Sequence, residues 1–80
     1  MQSIHKFLAK LTTGERQRVR DVMHLIVSGQ IDHLDIRKLS GYTDTFRVRV
    51  GKVRIIYRNL GDRSIITKVV WRNDNTYRDF

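Results

Sequence analysis

The chain contains no cysteine and no proline. It therefore has no disulfide framework and no thiolate ligand or nucleophile, a composition that fits a reducing compartment. With five glycines and no proline it has neither a stiff linker nor a low-complexity stretch. No apolar run approaches the ~18–20 residues that span a bilayer, and Met1-Gln2-Ser3-Ile4-His5-Lys6 has no signal-peptide core. A cytoplasmic protein without membrane attachment is expected. Its 80 residues have room for one core, so 1–80 is expected to form a single domain of marginal stability.

Acid is scarce. Eight Asp+Glu stand against sixteen Lys+Arg, giving a formal charge of +8 and a pI near 10.6. Residues 41–80 carry the larger share of the excess, and Arg47, Arg49, Lys52, Arg54 and Arg58 fall within twelve residues that include no acid. Such a field attracts polyanions, nucleic acid among them. An acidic protein surface would satisfy the same pattern.

The hydrophobic period changes midway. Ile4, Phe7, Leu8 and Leu11 recur at helical spacing behind Ser3, a plausible N-cap. Thr12-Thr13-Gly14-Glu15 reads as a capping box that opens a second helix. Val19, Val22, Met23, Ile26 and Val27 form one face of that helix, and Ser28-Gly29 stops it. Between Gln30 and Tyr42 the apolar residues are irregularly spaced, and a connection is expected there. From Asp44 to Val50 the period is two, with Phe46, Val48 and Val50 alternating with Thr45, Arg47 and Arg49. Gly51-Lys52 is a hairpin turn, Val53–Arg58 a second strand, Asn59–Asp62 a turn, and Arg63 or Ser64 to Trp71 a third strand. The predicted class is α+β: an N-terminal helical hairpin packed on an antiparallel β-meander of three or four strands.

Enzyme signatures are few. His5, His24 and His33 are scattered, and His33-Leu34-Asp35 is the one pair with ligand-like spacing, so no metal site is expected. Ser3, Ser28, Ser40 and Ser64 lack a nucleophile-elbow context, and the isolated glycines make no phosphate-cradling loop, so no cofactor is expected. The cations and one phenol remain. Arg47 and Arg49, two apart on a strand, point from one face at about the spacing of successive phosphates, roughly 6–7 Å. Arg54 lies across the turn, Arg72 ends the third strand, and Tyr77 follows it. A meander draws these together, giving guanidinium forks for phosphate oxygens and a phenol for stacking or proton transfer. A cationic sheet face bound by an acidic partner, with Tyr77 anchoring the C-terminus, uses the same residues.

The stretch from Lys38 to Tyr57, with Lys38-Leu39-Ser40-Gly41, Arg47-Val48-Arg49-Val50-Gly51 and Arg54-Ile55-Ile56-Tyr57 in order, resembles the RelE/ParE superfamily of toxins from bacterial type II toxin–antitoxin systems. The likeness continues through Val69-Val70-Trp71-Arg72-Asn73-Asp74-Asn75-Thr76-Tyr77 and, more loosely, back over the helices. It implies a cytoplasmic toxin held in a hetero-oligomer by a cognate antitoxin. In the RelE branch it implies a ribosome-dependent mRNA endonuclease; the ParE branch would be a non-enzymatic DNA gyrase inhibitor, and an inactive antitoxin-binding remnant is a third outcome. On the RelE pattern the catalytic positions fall on Arg54, Arg72 and Tyr77, and the RNA-gripping ones on Arg47, Arg49 and Lys52. Relatives usually open with a β-strand before the first helix, and that strand is expected to be missing here.

Overall fold

The computed structural model describes residues 3–73. Helix α1, Ile4–Ala9, begins where the Ser3 hydroxyl accepts the Lys6 N–H at 3.1 Å. Arg16 of the next helix ties down its end, donating through Nε to the Leu8 carbonyl at 3.0 Å and through Nη2 to the carbonyl of Leu11, two residues past α1, at 2.9 Å. Helix α2, Thr13–Ser28, starts with the expected capping box, in which the Thr12 hydroxyl accepts from the Glu15 N–H and the Glu15 carboxylate accepts from the Thr12 N–H. Gly29, at φ 79°, ends it in the left-handed conformation that glycine adopts without a Cβ clash.

Four strands follow: β1 Asp35–Lys38, β2 Thr45–Val50, β3 Val53–Asn59 and β4 Ser64–Trp71. They form one antiparallel sheet in the order β1-β2-β3-β4. The last three match the alternation in the sequence. Strand β1 corrects it, because Gln30–Tyr42 is not wholly a connection: Ile36 pairs with Val48 and Arg37 with Arg47.

Alternation divides the sheet into two faces. The near face carries Val48, Val53, Ile55, Tyr57 and Val69, all buried with Phe7, Leu8, Leu11, Val19 and Ile26 of the helical half. Phe46 stacks on its cross-strand partner Tyr57 with ring centroids 5.4 Å apart. Trp71 sits at the margin of this core, 37% exposed and 5.1 Å from the Phe7 ring. The far face, turned away from the helices, receives the intervening residues of each strand. A β-bulge breaks the β3–β4 register: Ile56 pairs with Lys68 and Tyr57 with Ile66, so Thr67 is the additional residue and its hydroxyl donates to the Ile56 carbonyl.

Candidate nucleic-acid interface

The far face collects cations from every strand. Arg37 pairs with Arg47, which pairs with Ile56, which pairs with Lys68. One step along, Asp35 pairs with Arg49, Arg49 with Arg54, and Arg54 with Val70. Cross-strand partners project from the same side of a sheet. The predicted set Arg47, Arg49 and Arg54 therefore does share one face.

The two other predicted residues within 3–73 lie at the Arg54 end. Lys52 is exposed in the β2–β3 turn, and the Arg72 N–H donates to the Lys52 carbonyl at 2.8 Å, which fixes the residue after β4 beside that turn. Tyr77 lies outside the described residues. On the helical side Arg18 comes to the same turn: its Nη2 is 3.3 Å from where a Cβ on Gly51 would stand. Gly51, at φ 58°, makes that close turn without a side chain in the way.

These cations differ in their surroundings. Arg54 is buried at 8% exposure, and its Nη1 donates to the Gly51 and Val53 carbonyls, each at 3.0 Å. Its guanidinium is thereby held in one orientation. Arg49 is exposed, with Nε 3.6 Å from the Asp35 carboxylate. Arg47 is half-buried, and its Nε is a buried donor with no hydrogen-bond partner. An orphaned buried donor costs on the order of 1–3 kcal/mol. Ile56, fully buried on the far face, is flanked in register by Arg47 and Lys68, long side chains whose aliphatic stems can cover apolar surface while their heads reach water.

At the opposite end of the face lies a cavity of about 410 Å³ lined by Tyr42, Asp44, Thr45, Arg58 and Thr67. Asp44 Oδ2 accepts from Arg58 Nε at 3.2 Å and Nη2 at 2.8 Å, and Oδ1 accepts from the Thr45 hydroxyl at 3.0 Å. The Arg58 guanidinium, followed by the Thr45 hydroxyl, holds the Asp44 carboxyl below its ordinary value of 3.8, so it is ionised at neutral pH.

The sequence reading did not assign Arg37, Arg58 or Lys68 to the site. Arg58 could have been found, since it is in phase with Arg54. Arg37 lay in the segment taken for a connection, and Lys68 reaches this face only through the bulge.

No family model matches the chain. Among curated proteins, "Putative toxin RelE1" of Methanocaldococcus jannaschii is 29% identical over 83 residues, covering 95% of this chain and 92% of that protein. Among solved structures, a chain in the crystal structure of the RelB-RelE antitoxin-toxin complex from Methanococcus jannaschii matches all of this chain and 95% of its own length, with a TM-score of 0.75 and 26% identity. In sequence and in fold the chain is similar to RelE toxins. Two N-terminal helices on a four-stranded antiparallel sheet are thus the RelE-like fold, and strand β1 belongs to it. Among the described residues of the RelE-like chain no helix is long and apolar enough to cross a membrane.

Proposed function

We propose that this chain is a toxin, an endoribonuclease that cuts mRNA on the ribosome in the cytoplasm and is held inactive by a cognate antitoxin. The observation that carries this reading is the Arg49–Arg54 cross-strand pair, with Lys52 and Arg72 joined by a hydrogen bond at the same end of the sheet. A cluster of like charges is tolerated where it has an anion to meet, and the ribose-phosphate backbone supplies a run of them. The antitoxin reading draws on the RelB-RelE complex of the structural relative.

The reaction that suits these groups is transesterification. The 2′-hydroxyl of the nucleotide 5′ to the cut attacks the adjacent phosphate, the bond to the following 5′-oxygen breaks, and a 2′,3′-cyclic phosphate and a 5′-hydroxyl result. Tyr77 accepts the 2′-hydroxyl proton, while Arg72 stabilises the dianionic phosphorane and passes a proton to the leaving oxygen. Arg54, its guanidinium already oriented by two carbonyls, shares the charge stabilisation, and Arg47, Arg49 and Lys52 hold flanking phosphates.

Free phenol and guanidinium groups both keep their protons well above neutral pH, so such a pair is a poor base and acid at neutrality. External alignment must make up the difference, and positioning can contribute ~7–11 kcal/mol. The ribosome is the template that this requires.

The test is induction of the chain without an antitoxin, wild type beside Arg72→Ala, with 5′ ends mapped by primer extension on translated and on naked mRNA. The expected result is growth arrest and cuts on translated mRNA for wild type, with cleavage slowed about 10²–10³-fold in the variant. Equal cutting of naked RNA would refute ribosome dependence. Arrest through failed DNA supercoiling, unchanged in Arg72→Ala, would assign the chain to gyrase inhibition, and no arrest at all would leave a remnant that only binds an antitoxin.

A further inference from the structure

The end of the sheet that carries the β2–β3 turn has a second side, the one facing the helices. Trp71, the chain's only tryptophan, closes β4 there and pairs with Val53, the first residue after the turn. Phe7 meets its ring at 5.1 Å and 54°, a tilted contact that covers part of the indole, and 37% of the residue stays open to water. Leaving so large a ring exposed forgoes burial that folding could have used. Aromatic surface of this kind, with polar groups around it, is the usual material of a binding site.

Cations from both layers gather at the same end. Arg72 follows Trp71 in the chain, and its backbone N–H donates to the Lys52 carbonyl at 2.8 Å, so the two side chains start from adjoining points. From α2, Arg18 reaches the turn, with Nη2 3.3 Å from the Cβ position of Gly51. Glu15 is the acid whose charge meets Lys52 and Arg18, but its Oε1 already accepts from the Thr12 N–H and hydroxyl. Three cations and one acid leave the ring in a positive field. An apolar segment seated on Trp71 would leave these cations without an anion, and a bare anion would leave the ring without a partner. A nucleotide uses both, because its base stacks on an aromatic face while its phosphate meets the charges. Trp71 faces the helices, whereas Arg49 and Arg54 face away from them. An RNA strand that touches both sides therefore passes over the end of the sheet, where Lys52 and Arg72 stand.

We propose that the exposed ring of Trp71 is a stacking platform for one base of the RNA substrate, with the adjoining phosphates held by Lys52, Arg72 and, on the helical side, Arg18. Stacking accepts any base, so the platform positions the strand without reading its sequence. This rests on the reading of the chain as an RNA-directed toxin.

With one tryptophan in the chain, indole fluorescence reports this residue alone. The full chain is titrated with a short oligoadenylate, with inorganic polyphosphate and with polyglutamate, while the anisotropy of a labelled oligoadenylate follows binding separately. Oligoadenylate is expected to quench at least about half of the emission, and polyphosphate, which carries charge without bases, less than about a tenth, a comparison that needs no variant. Trp71→Leu, with its melting temperature recorded, should weaken oligoadenylate binding about five- to a hundredfold at an unchanged salt slope, and Trp71→Phe should keep most of the affinity. Arg18→Gln should instead lower the slope of log K against log salt by ~0.7. RNA that binds without changing the emission, or polyphosphate that quenches equally, overturns the platform. Quenching by polyglutamate and not by RNA overturns it too and assigns the surface to an acidic protein. If the platform fails while wild type still cuts translated mRNA, the endonuclease reading survives. Failure to cut translated mRNA is the separate result that removes the reading itself.

Discussion

Arg49 and Arg54 stand opposite each other across the β2–β3 ladder, two like charges in one cross-strand pair. Each is turned toward a different partner: Arg49 toward Asp35, Arg54 toward the Gly51 and Val53 carbonyls. Such a pair opposes folding, and relief by an exposed carboxylate at 3.6 Å is slight. The sheet thus keeps charge where packing alone would favour threonine or valine.

Arg49→Thr is accordingly expected to stabilise the chain by about 0.2–1 kcal/mol at low salt while weakening RNA binding. Urea unfolding in dilute buffer and in 1 M salt checks this. The gain should shrink at high salt, where the Debye length falls to ~3 Å. A net loss of stability would mean that the Asp35 pair outweighs the repulsion.

Arg47→Met keeps an aliphatic stem beside Ile56 and removes the donor that has no partner. The expected gain is about 1–3 kcal/mol in the urea midpoint-derived stability, together with loss of toxicity on induction. Equal or lower stability would show that the guanidinium is well solvated in the free protein.

Binding to single-stranded RNA should respond to salt through the far-face cations. Arg49→Ala and Lys52→Ala are each expected to reduce the slope of log K against log salt by ~0.7, the value for one phosphate contact. Arg20→Ala, exposed on α2, serves as the comparison and should leave the slope unchanged. Fluorescence anisotropy at four or five salt concentrations measures it.

The capping box sets an acid limit. Hydrogen bonds from the Thr12 N–H and then the Thr12 hydroxyl hold the Glu15 carboxyl below its ordinary 4.5, as Arg58 holds Asp44 below 3.8. A carboxyl lowered by folding stabilises the protein above its unfolded value, and that contribution disappears as pH falls through the folded one. Stability should therefore decline from about pH 5 downward, and Glu15→Gln should flatten the upper part of that decline. Thr12→Ala, at neutral pH, is expected to cost about 1 kcal/mol. Thermal melts from pH 7 to 3 follow both.

The helices and three strands were legible because their patterns are local: Thr12 and Glu15 announce α2, and Phe46, Val48 and Val50 alternate over a whole strand. Strand β1 was not, since Ile36 is its one apolar residue and its conformation is set by the ladder to β2 rather than by its own period. The shared face of Arg47, Arg49 and Arg54 follows from a period of two and a two-residue turn. The Asp44–Arg58 contact joins residues fourteen apart and emerges only once β2 and β3 are in register. Lys68 escaped for a further reason, the bulge between it and Ile66.

That bulge gives β4 one point at which it can be shortened. Because Thr67 has no partner on β3, the chain advances three residues from Ile66 to Val69 and still returns to the helical side. Dropping the Thr67 codon would erase the bulge and leave Ile66 opposite Tyr57 and Lys68 opposite Ile56, with Val69 and Trp71 still on the Phe7 side. Elsewhere along the strand no surplus residue absorbs the loss, and a single-residue deletion would turn half of β4 inside out in one step.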